Sequence, residues 1–207
     1  MSLEGILVSD LEGVLVKNSV NTDSGTVAIK NLLSNSGAYG GSASTLPTDW
    51  DSAAEGTATI EVVDYGDSPI FEGAKYVDLQ IINNDGVNRN LTVKLDINTI
   101  AGVQNDDFAY SAYLQVISGT LTGAPRFMMI ELQGAVFKAT VADTDLSIDE
   151  TLSRKTTIYT VSDVNTDRIQ AWLRFYDVTD ESDFTIRLTC PQVEKSSAVT
   201  NYQNTGF

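Results

Sequence analysis

The chain has 207 residues, 42% apolar and 20% charged, enough to bury the core of one all-β sandwich with long loops. No apolar run approaches the roughly 20 residues that span a bilayer, so membrane insertion is not expected. A formal charge of −15 repels phosphate backbones and anionic lipid, which sets nucleic acid aside as a partner, and the absence of histidine removes the triads and usual zinc sites that depend on it.

LEGILVSDLEGVLV (3–16) carries Leu-Glu-Gly followed by three apolar residues, twice, with a period of eight. On an extended strand an even period turns both copies the same way, whereas a helix would hold two glycines at about 1 kcal/mol each relative to alanine. Extended structure is therefore expected. So apolar a segment needs a cover. It is assigned as an attachment or oligomerisation segment over residues 1–30, with Leu3, Ile6, Leu7, Leu11, Val14 and Leu15 as candidate contacts to a virion partner or a second copy. The competing reading is an extra strand folded back on its own sandwich. No signal peptide is expected, because acidic Glu4 and Asp10 flank the first apolar run and Gly5 and Gly13 interrupt the segment.

VAIKNLL (27–33) is too short and too broken by Asn31, Ser34 and Asn35 for a helix and reads as strand into loop. YGGSASTLPTDWDSAAEG (39–56) follows as a long loop closed by Trp50. Nine stretches then alternate apolar and polar residues with β-branched and aromatic enrichment: 57–65, 73–82, 91–97, 108–117, 126–132, 135–141, 155–161, 168–176 and 183–190. Gly, Pro, Asn and Asp clusters separate them. The pattern predicts an all-β, antiparallel two-sheet sandwich. Cys190, the only cysteine, ends the last alternating stretch and reads as a small core residue.

Strand alternation also assigns faces. In RIQAWLRFY (168–176), Ile169, Ala171, Leu173 and Phe175 point to the core, leaving Gln170, Trp172, Arg174 and Tyr176 outside. In FAYSAYLQV (108–116), Tyr113 and Gln115 are outward, and Tyr76, Asp78 and Gln80 form a similar outward row. Neighbouring rows of this kind suit a sugar, whose C–H face lies on an aromatic ring while its hydroxyls pair with amide, guanidinium and carboxylate groups. The candidate carbohydrate-binding residues are Trp172, Tyr176, Tyr113, Gln170 and Arg174. Aromatic residues at such positions also serve cross-strand pairing and subunit contacts.

Carboxylates are abundant, but a glycosidase needs a pair at a separation of roughly 5 to 9.5 Å, and no pair is singled out. No catalytic residue is assigned. The acidic stretches 143–150 and 177–183 carry oxygen ligands of the kind calcium takes, yet neither has the twelve-residue helix-loop-helix pattern. No cofactor is expected and no metal ligand is assigned, structural calcium being the lesser alternative.

NLLSNSGAYGG with Trp50, the central FAYSAYLQV strand and the closing CPQVEKSSAVTNYQNTGF together resemble the carbohydrate-binding-module-like jelly-roll domains of bacteriophage virion proteins. The resemblance covers residues 31–207, departing at Ser196, where the family usually has glycine, and at Asn201, where it often has proline. It implies a jelly-roll domain over 31–207 behind the 1–30 segment. It further implies a non-enzymatic protein of the virion, either a capsid decoration or a tail-tip or tail-fibre component. Other virion proteins, further copies of itself and a host-surface glycan are the implied partners. The alternative from another class is a polysaccharide lyase or glycosidase on the same sandwich.

Overall fold

A computed structural model describes residues 30–204, excluding the side chains of 141–144. The candidate attachment residues Leu3, Ile6, Leu7, Leu11, Val14 and Leu15 lie outside the described residues, as does the 1–30 segment up to Lys30. Eleven strands follow in chain order: β1 (Asp51–Ala54), β2 (Thr59–Asp67), β3 (Lys75–Asn83), β4 (Arg89–Lys94), β5 (Ile100–Ala101), β6 (Asp107–Gly119), β7 (Ala124–Gln133), β8 (Val136–Asp145), β9 (Ser153–Thr160), β10 (Arg168–Val178) and β11 (Ser182–Lys195). No helix occurs among the described residues.

One sheet has the order β1-β4-β10-β7-β8, with β5 also on β10; the other has the order β2-β3-β11-β6-β9. All the pairings are antiparallel, and the chain crosses repeatedly between the sheets, giving a jelly-roll β-sandwich. All nine expected strands are present. The two unexpected ones, β1 and β5, are short and lack apolar alternation. They form because β4 and β10 offer them partners, Asp51 opposite Lys94 and Ala101 opposite Arg168.

The core lies between the sheets and is filled as the alternation requires. Ile169, Ala171, Leu173 and Phe175 of β10 are fully buried, as are Phe108, Tyr110, Ala112 and Leu114 of β6. Tyr110 stacks on Phe127 of the opposite sheet with ring centroids 3.9 Å apart, and Phe175 meets Phe184 at 6.1 Å. Contacts of this kind add roughly 0.5–1.5 kcal/mol beyond the area they bury.

The family-like motifs at the two ends of the domain meet in one clasp. In β11 the inward row runs Phe184, Ile186, Leu188 and then, one residue out of phase, Val193. The phase changes at a bulge where Cys190, buried at 1% exposure, adopts a φ of 52° and Pro191 follows. The Asn31 side chain serves the backbone there: its Oδ1 accepts from Val193 and Leu33 N–H, and its Nδ2 donates to the Pro191 and Gln203 carbonyls. Outward-facing Gln192 and Glu194 hold the tail, accepting from Gln203 N–H and from Thr200. Asn35 likewise fastens the loop that follows, through Tyr39 and Thr48, and Trp50 Nε1 donates to its carbonyl.

A second fastening ties the two sheets together. Glu131 of β7 is fully buried, and its carboxylate accepts from Tyr159 of β9, from the Ser162 N–H and hydroxyl, from Asp163 N–H and from the Thr166 hydroxyl. Burial alone would push this carboxyl up, but the donors from Thr166, Tyr159, Ser162 and Asp163 prevail and hold it at about 2. Burial and the facing carboxylate push the Tyr159 hydroxyl up. The 161–167 crossover into β10 is thereby fixed.

Glu131 is depressed in the folded chain relative to about 4.5 unfolded, so its contribution is complete above that value and is lost as pH falls toward 2. A difference of this size corresponds to about 3 kcal/mol. Glu131→Gln is therefore expected to lower stability by about that amount at pH 7 in urea denaturation. The gap to the parent protein should narrow between about pH 5 and pH 2. A gap that stays constant with pH would show that the ionised carboxylate is not the stabilising group.

Candidate functional site

The outward row of β10 lies in the middle of its sheet, between β4 and β7. Trp172 stands opposite Lys94 and Met128, Arg174 opposite Thr92 and Arg126, and Gln170 opposite Ile130. Residues opposite one another share a face, so these rows form a single surface. Its floor is apolar: Met128 and Ile130 face outward yet are 1% and 3% exposed. Phe137 of β8, opposite Leu132, extends the same surface and is 58% exposed. Trp172, Tyr176 and Phe137 thus place three aromatic rings on one sheet face.

The charges on this face are arranged in pairs. Lys94 Nζ donates to Asp51 at 2.6 Å and lies 5.8 Å from the Trp172 ring centroid. Arg126 holds Asp145 at 2.6 Å, and Arg174 approaches Glu55 at 3.8 Å. Both guanidinium groups lie near the Tyr176 ring, at 5.2 Å and 4.7 Å from its centroid, and the Tyr176 hydroxyl contacts Met128 Sδ at 3.2 Å. Gly123, with a φ of 75°, lets the β6–β7 loop pass beside β10; a Cβ there would stand 2.3 Å from the Tyr176 carbonyl oxygen. Gln170 donates to the Ile97 carbonyl.

Between β1, β4 and β10 a shallow cavity of about 210 Å³ opens, lined by Glu55, Asn90, Thr92, Lys94, Trp172 and Arg174 beside the small side chains Ala53 and Ala54. Two donors at its wall, Trp172 Nε1 and Arg174 Nε, are buried without a hydrogen-bond partner among the described residues. A buried donor left unpaired costs about 1–3 kcal/mol. The carboxylates are held ionised: Asp51 lies below the usual range chiefly through its bond from Lys94, and Glu55 chiefly through its bonds from Asn90. These are the states of ion-pair and hydrogen-bond acceptors. A general acid would need its carboxyl shifted upward.

The structure brings Trp172, Tyr176, Gln170 and Arg174 together but puts Tyr113 elsewhere. Tyr113 is on β6, in the other sheet, and points out of the opposite side of the sandwich. The rows of β3 and β6 do share a sheet, with β11 between them. Lys94, Glu55, Asn90 and Phe137 were missed because their membership depends on which strands flank β10, information that alternation within one strand does not carry. In the acidic stretches, Asp145 pairs with Arg126, Asp149 accepts from Thr151 N–H and Asp180 from Gly86 N–H. Among the described residues no group of three or more carboxylate, cysteine or histidine side chains is gathered as a metal site.

Neither a protein-family model nor a curated protein sequence matches the chain. Solved structures do match it. The carbohydrate-binding module CtCBM11, known from its solution structure, superposes with a TM-score of 0.53 at 10% identity, over 84% of this chain and 99% of that one. A carbohydrate-binding module of the β-sandwich superfamily matches with a TM-score of 0.50 at 17% identity, over 70% of this chain and 56% of the other. The enzymatically active domain of bacteriophage CBA120 tailspike protein 4 matches with a TM-score of 0.50 at 11% identity, over 70% of this chain and 19% of that chain. This chain thus spans about a fifth of the tailspike domain and rather more than half of the second module. At these identities the likeness establishes the jelly-roll sandwich.

Proposed function

We propose that the chain is a non-enzymatic glycan-binding module whose ligand lies across the outer face of β4, β10 and β7. The observation that carries this reading is the cavity beside Trp172 and Arg174, where two donors lack acceptors among the described residues next to an aromatic ring. A sugar supplies both complements: a C–H face for the indole and hydroxyl oxygens for the N–H groups. Engagement requires the flexible Lys94 and Arg174 chains to shift so that the donors meet those oxygens. The fold shared with carbohydrate-binding modules supports the reading.

We further infer that the module is carried on a bacteriophage particle, as a capsid decoration or a tail-tip or tail-fibre component, and engages host-surface glycans there. The family-like motifs around Asn31 and Gln192 support this, as does the tailspike domain among the similar structures. Residues 1–30 would supply the contact to other virion proteins or to further copies of the chain. Copies held together would raise the avidity of a weak single site.

A panel of purified neutral host-surface oligosaccharides, titrated while tryptophan fluorescence is followed, tests the binding reading. Trp50 is buried in the core, so the signal from this face comes from Trp172. At least one oligosaccharide should bind, and Trp172→Ala should weaken that binding by tenfold or more at a matching unfolding temperature. No binding across the panel, or binding that ignores Trp172→Ala, contradicts the reading. Deleting residues 1–18 is expected to leave a folded protein that sediments as a monomer, whereas the full chain sediments as an oligomer. Equal sedimentation of the two would remove the assembly role.

A further inference from the structure

All six arginines of the chain lie among the described residues, and five of them hold a carboxylate: Arg89 with Asp85, Arg126 with Asp145, Arg168 with Asp167, Arg174 with Glu55 and Arg187 with Asp78. Arg154 makes no ion pair among the described residues, although the chain carries 28 carboxylate side chains against 13 basic ones. Among the described residues its Nε is buried without a partner, and its one hydrogen bond to them runs from Nη2 to the Ser111 hydroxyl at 2.9 Å. An uncompensated, half-desolvated guanidinium is an unfavourable group to retain in so acidic a protein.

Its surroundings resemble a recognition surface. Arg154 projects from β9 onto the outer face of the second sheet, on the side of the sandwich away from Trp172. Tyr113 stands directly opposite it on β6, with the guanidinium carbon 6.0 Å from the ring centroid, and Ser111 and Thr156 stand opposite each other in the next row. On the far side of β11 the face continues through Tyr76, opposite Thr189. The Arg187 guanidinium lies 3.7 Å from the Tyr76 ring centroid and is held there by a two-pronged bond to Asp78, 2.8 Å on each arm.

We propose that this face is a second saccharide-binding surface, selective for sugars that bear a carboxylate, with Arg154 gripping the carboxylate and Tyr113 carrying the adjoining ring. A guanidinium matches a carboxylate with two parallel N–H donors, and the neighbouring hydroxyls and aromatic ring match the rest of a pyranose. The site is independent of the cavity at Trp172 and takes an acidic sugar where that cavity's neighbours are already charge-paired.

Calorimetric titration of the full chain with three probes tests the proposal: oligogalacturonate, hyaluronan oligosaccharide and oligosialic acid. At least one should bind. Its methyl ester and the Arg154→Gln variant should each weaken that binding by tenfold or more, Tyr113→Ala should weaken it severalfold, and Trp172→Ala should leave it unchanged. Arg154→Lys, which keeps the charge without the fork, should recover only part of the loss, separating a carboxylate grip from mere local folding. Binding of none of the probes overturns the proposal. So does loss through Trp172→Ala equal to that through Arg154→Gln, which would mean a single site, and so does equally tight binding of poly-glutamate, which would make the surface a general acidic-peptide site.

Discussion

The phase of β10 is the constraint on which the remainder of the surface depends. Side chains alternate at a period of two, so a slip of one residue would carry Trp172 and Arg174 into the core and expose Leu173 and Phe175. Two features resist that slip. The inward row of Ile169, Ala171, Leu173 and Phe175 is completely buried, and the buried Glu131 carboxylate accepts four hydrogen bonds from the crossover just before Arg168 and a fifth from Tyr159 of β9. Because Tyr159 belongs to the other sheet, the same carboxylate also couples the two layers. The desolvation penalty of this buried charge is outweighed because its oxygens are met by several hydrogen-bond donors.

With β10 held, β4 and β7 bring the rest of the face into place by pairing. Lys94 meets Trp172, Arg126 meets Arg174, and each cation brings a carboxylate with it. The outcome is a surface of paired charges over an apolar floor of Met128 and Ile130, which also carries aromatic rings and two donors without a partner among the described residues. On the opposite sheet the same rule of local neutralisation holds at Arg187 and fails at Arg154. That contrast distinguishes the two faces chemically, although they are built from the same alternating pattern.

Strand identity and facing were legible because each depends only on local alternation. The inward rows of β6, β10 and the first part of β11 follow directly from their sequences, and Cys190 is buried as its position in FTIRLTC implies. What was not legible is non-local. β1 has no pattern of its own and exists because β4 has a free edge; Tyr113 looks like Trp172 within its strand and yet belongs to the other sheet. The inward place of Val193 follows from the closing motif, while the bulge at Cys190 and Pro191 that shifts the phase by one residue does not. Asn31 and Gln192, recognisable as motif residues, prove to be fasteners of the domain's two ends.

The proposed glycan site is the β4–β10–β7 face. The most direct test is backbone amide mapping by NMR during titration with a neutral host-surface oligosaccharide. Perturbed amides are expected to cluster at Asp51–Glu55, Asn90–Lys94, Arg126–Ile130 and Gln170–Tyr176, with the β3, β6 and β11 amides unmoved. Perturbations centred on the opposite sheet, or a neutral oligosaccharide that binds without moving the amides around Trp172, would contradict it.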